Sequence, residues 1–202
     1  MNAKAIKQLV VATGNLGKLR EMEAYLEGLG FTLQLKPADL EVEETGQTFA
    51  ENACLKASQV AQATGQWAIA DDSGLAVDSL NGAPGIYSAR YASSDAACIE
   101  RLLKELAGEE NRQAQFVCAI AIARPDGAIA LQADGICRGE ILHSPRGSGG
   151  FGYDPVFYIP EQNLTFAEMA ASVKRAISHR GQAFRHLIPQ LETLGLPLKE
   201  LD

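Results

Sequence analysis

A chain of 202 residues, 47% hydrophobic and 6% aromatic, has material for one well-buried domain and is short for two. Its formal net charge of −7 argues against general binding to nucleic acid polymers, which normally shows as a basic patch or stripe. It leaves room for a nucleotide, because a few placed lysines and a divalent cation neutralise one triphosphate.

Taken in chain order, Gln8 to Ala12 form a short apolar strand that breaks into the turn "TGNLGK". Leu19, Met22, Leu26 and Leu29 then recur at helical spacing, and Gly28 and Gly30 bracket the helix end. A second strand alternates over Thr32 to Lys36 and stops at Pro37, before the acidic loop "LEVEETGQ". Thr48 and Glu51 form a capping box for a helix whose small face is Ala50, Ala53, Ala57, Val60 and Ala61. Such a face lets a helix approach a sheet closely. "WAIADDSG" reads as a buried strand ending in two carboxylates. Asp95 opens a helix with Ile99, Leu102, Leu103 and Leu106 on one side. "FVCAIAIA", "AIALQADG" and "CRGEILHS" read as three consecutive strands, the first two joined by a hairpin turn at Pro125-Asp126-Gly127. Thr165 and Glu168 form a further capping box. A last helix runs from about Ser178 to Leu194, with Ala183, Leu187, Leu191 and Leu194 inward and Pro189 as a potential kink. Early helix–strand alternation followed by clustered strands predicts one α/β domain over residues 1–202, with a mixed sheet flanked by helices.

Four segments carry chemistry. The opening turn lacks Walker A spacing, since only Asn15 and Leu16 separate Gly14 from Gly17-Lys18 and Leu19 replaces the hydroxyl residue. The same elements still suit an anion: a strand end, glycines, a helix N-terminus with free N–H groups, and Lys18. A phosphate cradle and a plain junction both remain open. "GSGGFG", Gly147 to Gly152, satisfies G-x-G-x-x-G literally, but it comes late and runs into "YDPVFYIP" where a dinucleotide fingerprint needs a helix. A loop this rich in glycine nevertheless suits wrapping or closing over a ligand. Asp71 and Asp72 point opposite ways on a strand, so one of them can face a given site. With Glu43 and Glu44 they offer oxygen ligands suited to Mg²⁺, although each pair also reads as a turn cap or a solvated loop. His179 and Arg180 open the last helix, with Lys174 nearby, where the helix dipole disfavours cations unless an anion joins them. His143 and His186 lack such company. Cys54, Cys98, Cys118 and Cys137 lack zinc spacing and read as buried or half-buried thiols of a reducing compartment. "MNAKAIKQ" has no apolar signal core and no apolar run could span a bilayer, so a cytoplasmic protein without a membrane partner is expected.

Together, "ATGNLGK", "EETGQTFAENACLKA", "ADDSGLAVDSLNGAPGIYSARYA", "GGFGYDPVF" and "SHRGQA" resemble, in order, the inosine triphosphate pyrophosphatase family in its Ham1-like, bacterial dITP/XTP branch. The resemblance implies a long mixed sheet in two lobes with a central substrate cleft, and a homodimer. It implies that Thr13, Gly14, Asn15, Leu16, Gly17 and Lys18 hold the triphosphate, with Thr13, Asn15 and Lys18 making direct contacts. It assigns Glu44 and Asp72 to Mg²⁺, Asp72 also to proton acceptance, and Ser73 to substrate. Phe151, Gly152, Tyr153 and Asp154 would pack on and hydrogen-bond the purine, and Lys174, His179 and Arg180 supply the remaining contacts. The chain departs from the family where an acidic pair commonly precedes the lysine matching Lys174; here stand Ser172 and Val173.

The implied activity is Mg²⁺-dependent hydrolysis of deaminated purine nucleoside triphosphates, dITP, ITP and XTP, to the monophosphate and pyrophosphate. Alternatives are a Maf-type pyrophosphatase acting on pyrimidine or modified nucleotides, and a nucleotide-binding module without turnover. A 6-keto group can be selected over the amino group of ATP by donors such as Lys174, Arg180 or the amides of 151–154. Rejecting GTP needs a penalty on its exocyclic amino group.

Overall fold

The computed structural model describes residues 8–191 and Leu194. Seven strands form one mixed sheet in the order β2-β1-β3-β4-β5-β6-β7, where β1 is Gln8–Val11, β2 Thr32–Leu35, β3 Ala68–Val77, β4 Gln113–Ala123, β5 Ile129–Ile141, β6 Phe157–Ile159 and β7 Leu164–Thr165. The helices are α1 Leu16–Leu26, α2 Phe49–Thr64, α3 Asp95–Glu105, α4 Ala171–Ile177 and α5 His179–Leu191. Strand β1 runs parallel to both β2 and β3, as helical crossovers require, whereas β6 is antiparallel to β5 and β7.

The chain divides into two compact units. The first comprises the residues up to Asp72, Ala119–Gly135 and those from Ala183 on; the second comprises Ser73–Cys118 and Ile136–Gln182. In the first, Ala53, Ala57, Val60 and Ala61 of α2 are buried with Val10, Ala12, Ala68, Ala70, Ala119, Ala121 and Ala123. Alanine on both surfaces lets helix and strands approach closely, so added methylenes have no room. Ala50, expected on that face, is exposed in the first turn of a helix that begins at Phe49. The cap holds in modified form: Thr48 Oγ1 accepts from Glu51 N–H at 3.1 Å, while the Glu51 carboxylate accepts from Gln47 N–H at 2.7 Å, one residue earlier than a capping box would place it. In the second unit Leu75, Ile99, Leu102, Leu106, Phe116, Phe157 and Phe166 share a core, with Leu103 partly buried at its edge.

Three expectations change. Strand β3 does not end at Asp71-Asp72 but continues to Val77, because both carboxylates find cationic partners inside the protein. "AIALQADG" and "CRGEILHS" form the single strand β5; Gly135 is accommodated without a break, since alternate residues from Ala133 to Ile141 remain buried on one face. The turn between β4 and β5 forms as expected, closed by Arg124 N–H to Ala128 C=O at 2.9 Å. Thr165 begins no helix: its hydroxyl donates to Arg146 C=O at 2.9 Å, and the Glu168 carboxylate accepts from Thr165 N–H at 2.8 Å within a turn. Helix α5 starts at His179 with Ser178 Oγ accepting from Gly181 N–H at 3.1 Å. Ala183, Leu187 and Leu191 are buried and Pro189 lies inside the helix. The expected extension to Leu194 crosses residues 192 and 193, outside those described.

Candidate active site

In the first unit, β1 delivers the chain into Thr13–Lys18 and α1 begins at Leu16. Asn15 is the N-cap, its Oδ1 accepting from Gly17 N–H at 2.8 Å and Lys18 N–H at 3.2 Å. Thr13 Oγ1 in turn accepts from Asn15 N–H at 3.1 Å. Two of the amides expected to be free for an anion are thus already capped, and Thr13 and Asn15 hold the shape of the turn. Gly14, Asn15 and Leu16 are exposed. Lys18 reaches back to the strand floor, with Nζ 3.3 Å from Asp71 Oδ1.

Asp72 faces a different cation. Lys56 Nζ donates to Asp72 Oδ1 at 2.7 Å and to Glu44 Oε1 at 2.8 Å. Asn52 Nδ2 lies 3.4 Å from the second oxygen, Asp72 Oδ2, and Asn52 Oδ1 accepts from Gly46 N–H at 2.8 Å, tying the acidic loop to α2. Glu43 has no place in the cluster; its backbone exchanges hydrogen bonds with the Gln59 side chain. Burial pushes the Asp72 carboxyl above the ordinary carboxylate range, against the pull of Lys56 and Lys18. Burial depresses the Lys56 ammonium, but Asp72, Asp71 and Glu44 outweigh it and its pKa ends above the ordinary value. The cluster therefore holds a charged lysine beside a carboxylate with raised proton affinity.

Among the described residues, no three or more His, Cys, Asp or Glu side chains gather as a metal cage. What converges is a pair of carboxylates, Glu44 and Asp72, on one point now taken by Lys56. Mg²⁺ commonly uses one or two carboxylates and fills its octahedron with phosphate oxygens and water. The donor set fits that ion in company with a phosphate, not alone.

The second unit holds another cluster. Lys174, on α4, places Nζ 2.6 Å from Asp154 Oδ2, and the same oxygen accepts from Phe151 N–H at 2.9 Å. Lys174 Nζ lies 5.0 Å from the centre of the Phe151 ring and Arg180 Cζ 5.9 Å from it, within reach of the ring quadrupole. Arg180 is 1% exposed, and Nη2 donates to Ser73 Oγ at 2.9 Å. The His179 ring stacks on Phe116 at 4.6 Å between centroids. Tyr153 is buried and donates to Ser88 C=O at 3.0 Å. The glycine loop before Phe151 is braced: Gly149 N–H donates to Ala167 C=O at 3.1 Å, and Arg146 pairs with Glu168 at 2.8 Å. A Cβ on Gly150 would run into the Asp154 carboxylate.

Within the first unit the expected residues Thr13 to Lys18, Glu44 and Asp72 are present with the arrangement given. Within the second, Ser73, Phe151, Asp154, Lys174 and Arg180 are linked to one another, whereas Gly152 bonds to Asp95, Tyr153 to Ser88, and His179 stacks on Phe116. Ser172 and Val173 are exposed, and Lys174 takes its counter-charge from Asp154 instead. Sequence reasoning passed over Lys56 and Asn52. Their signal was available: a lysine at position 56 sits among Ala53, Ala57 and Val60, on the buried stripe, where a solvated lysine does not belong.

The Ham1 family model matches residues 9–190. A protein from a Nostoc species named dITP/XTP pyrophosphatase is 69% identical over 188 residues, covering 93% of this chain and 96% of its own. A Synechocystis protein of the same name is 64% identical over 182 residues, covering 90% and 94%. The solved structure of a HAM1 protein from Coxiella burnetii matches at 42% identity and a TM-score of 0.84, covering 93% of this chain and all of that one (100%). The Staphylococcus aureus Ham1 protein matches at 43% identity and a TM-score of 0.82, covering 93% and 99%. With the family model matched over residues 9–190 and relatives 69% and 64% identical aligned over most of the chain, this chain belongs to the Ham1 family.

Proposed function

We propose that this protein hydrolyses non-canonical purine nucleoside triphosphates, dITP, ITP and XTP, to the monophosphate and pyrophosphate, with Mg²⁺ as cofactor. The observation that carries the reading is the convergence of half-buried Glu44 and buried Asp72 on Lys56, beside Lys18 on Asp71. So many ion-paired side chains are costly to keep inside a protein without a task. The names of the relatives supply the substrate class.

Glu44 and Asp72 would hold the ion, which when bound supplies positive charge to the phosphates and acidity to a water. Asp72 is the proton acceptor: burial raises its proton affinity above that of an ordinary carboxylate, which makes it a better base. The water oxygen bonds to the α-phosphorus, its proton passes to Asp72, and the bond from the α-phosphorus to the bridging oxygen breaks, releasing pyrophosphate. Lys18 supplies cationic charge for that leaving group, whose negative charge grows as the bond breaks. Lys56 stays protonated beside Asp72 and holds it and Glu44 in register.

The Phe151 ring offers a stacking surface, and Lys174 and Arg180 are donors only, matched to a 6-keto oxygen and mismatched to an adenine amino group. In the same reading the protein works in the cytoplasm and, as the family resemblance implies, as a homodimer. The test is product analysis with dITP and Mg²⁺: dIMP and pyrophosphate in equal amounts are expected, and dIDP with orthophosphate contradicts the reading.

A further inference from the structure

Phe151 can offer a fixed surface to a purine only if the backbone on both sides of it is held. On its N-terminal side that is done by Asp154, which accepts from Phe151 N–H and is itself held by Lys174. On its C-terminal side the next amide, Gly152 N–H, donates to Asp95 Oδ2 at 2.7 Å, across 57 residues of chain. Gly152 has φ +59°, and the carbonyl of the same peptide, Phe151 C=O, accepts a long turn bond from Asp154 N–H at 3.3 Å. Tyr153, the next residue, is anchored separately through Ser88 C=O.

Asp95 is the first residue of α3, but it does not cap that helix. The capping is done by Ser94, whose Oγ accepts from Ala97 N–H at 3.2 Å. The Asp95 carboxylate is therefore available for another task, and its bond goes to the loop. A carboxylate accepting from a backbone amide is the stronger class of hydrogen bond.

We propose that Asp95 is a positioning residue for purine recognition, holding the peptide after Phe151 so that the ring keeps its place beside Lys174 and Arg180. The proposal rests on the pyrophosphatase reading above for its substrate, and it assigns Asp95 no contact with the reacting atoms.

Two variants separate the hydrogen bond from the charge. Asp95→Asn and Asp95→Ala both remove negative charge from the start of α3, but only Asp95→Asn keeps an acceptor oxygen for Gly152. With dITP as substrate, Asp95→Ala should raise KM about tenfold with kcat changed less, the size expected for losing one such hydrogen bond. Asp95→Asn should stay within about twofold of the native KM. Hydrogen exchange over residues 147–154 should quicken in Asp95→Ala and not in Asp95→Asn. Equal KM values in both variants, or a fall in melting temperature with KM unchanged, overturns the proposal. In the native protein alone, a Gly152 amide exchanging as fast as an unbonded loop amide also overturns it, whether or not the alanine variant folds. If the native protein releases no pyrophosphate from dITP, the functional reading fails, and the exchange measurement still decides what Asp95 does to the loop.

Discussion

Lys56 Nζ stands 2.7 Å from Asp72 Oδ1, with both side chains only 9% exposed. Removing one member of a buried pair strands the other charge, so Lys56→Met should destabilise the protein by about 3–5 kcal/mol in urea titrations. The loss should depend on pH. The Asp72 carboxyl is already raised by burial and rises further without Lys56, so the folded state binds a proton that the unfolded state releases. Stability is then retained below the unfolded carboxylate pKa and lost as pH rises through the folded one. Lys56→Met should be closer to native stability in acid than at neutral pH; the opposite slope would contradict the pairing.

Lys18 lies 3.3 Å from the buried carboxylate of Asp71, so its replacement has two separable effects. Lys18→Met should lower kcat/KM for dITP by roughly hundredfold, the scale of losing one charge that stabilises the transition state, and should lower the melting temperature as well. Adding Asp71→Asn removes the stranded charge and should recover much of the stability but none of the activity. Activity that returns together with stability would mean that Lys18 is structural.

The loop before Phe151 is braced by Glu168, which the Arg146 guanidinium and the Thr165 amide hold down to a pKa of about 2. A depressed carboxylate contributes stability above its unfolded pKa and loses it as pH falls through the folded one. Glu168→Gln should therefore melt below the native protein at pH 7. The difference should shrink from about pH 4.5 downwards and close near pH 2, the span between the ordinary and the depressed values. A difference independent of pH would assign the effect to packing.

Gly150 has φ +73°, and a Cβ there would meet the Asp154 carboxylate. Gly150→Ala should cost about 1–3 kcal/mol of stability for the left-handed conformation alone. It should also raise KM for dITP, because Asp154 holds both Lys174 and the Phe151 amide. Gly14→Ala, where a Cβ has open space and the backbone is ordinary, is the control and should be close to native in stability.

Much of the fold was legible because local rules and burial agreed. The alanine stripe of α2, the Thr48 cap and the hairpin turn at Gly127 each follow from residues within one element. The departures arise where distant residues decide. Strand β3 continues past Asp72 because Lys18 and Lys56, from two different helices, neutralise its carboxylates. Gly135 reads as a strand end, yet its neighbours on both sides find partners in one sheet. Thr165 and Glu168 have capping spacing, but Arg146 claims both side chains, so a turn forms. At the site, the motif residues were visible individually, whereas nothing near Lys56 in sequence names Glu44 and Asp72 as its counter-ions. Asp95 was read as a helix start and nothing in its own segment pointed to Gly152.

Selective release of pyrophosphate from deaminated purines by this cluster is tested most directly by comparing substrates. Equal concentrations of dITP, ITP, XTP, ATP and GTP, each incubated separately with the protein and Mg²⁺, should yield pyrophosphate from the first three and little from ATP and GTP. EDTA, or Asp72→Asn in a protein that still melts cooperatively, should abolish it. Equal cleavage of ATP and ITP, orthophosphate as the first product, or undiminished turnover by Asp72→Asn would contradict the account.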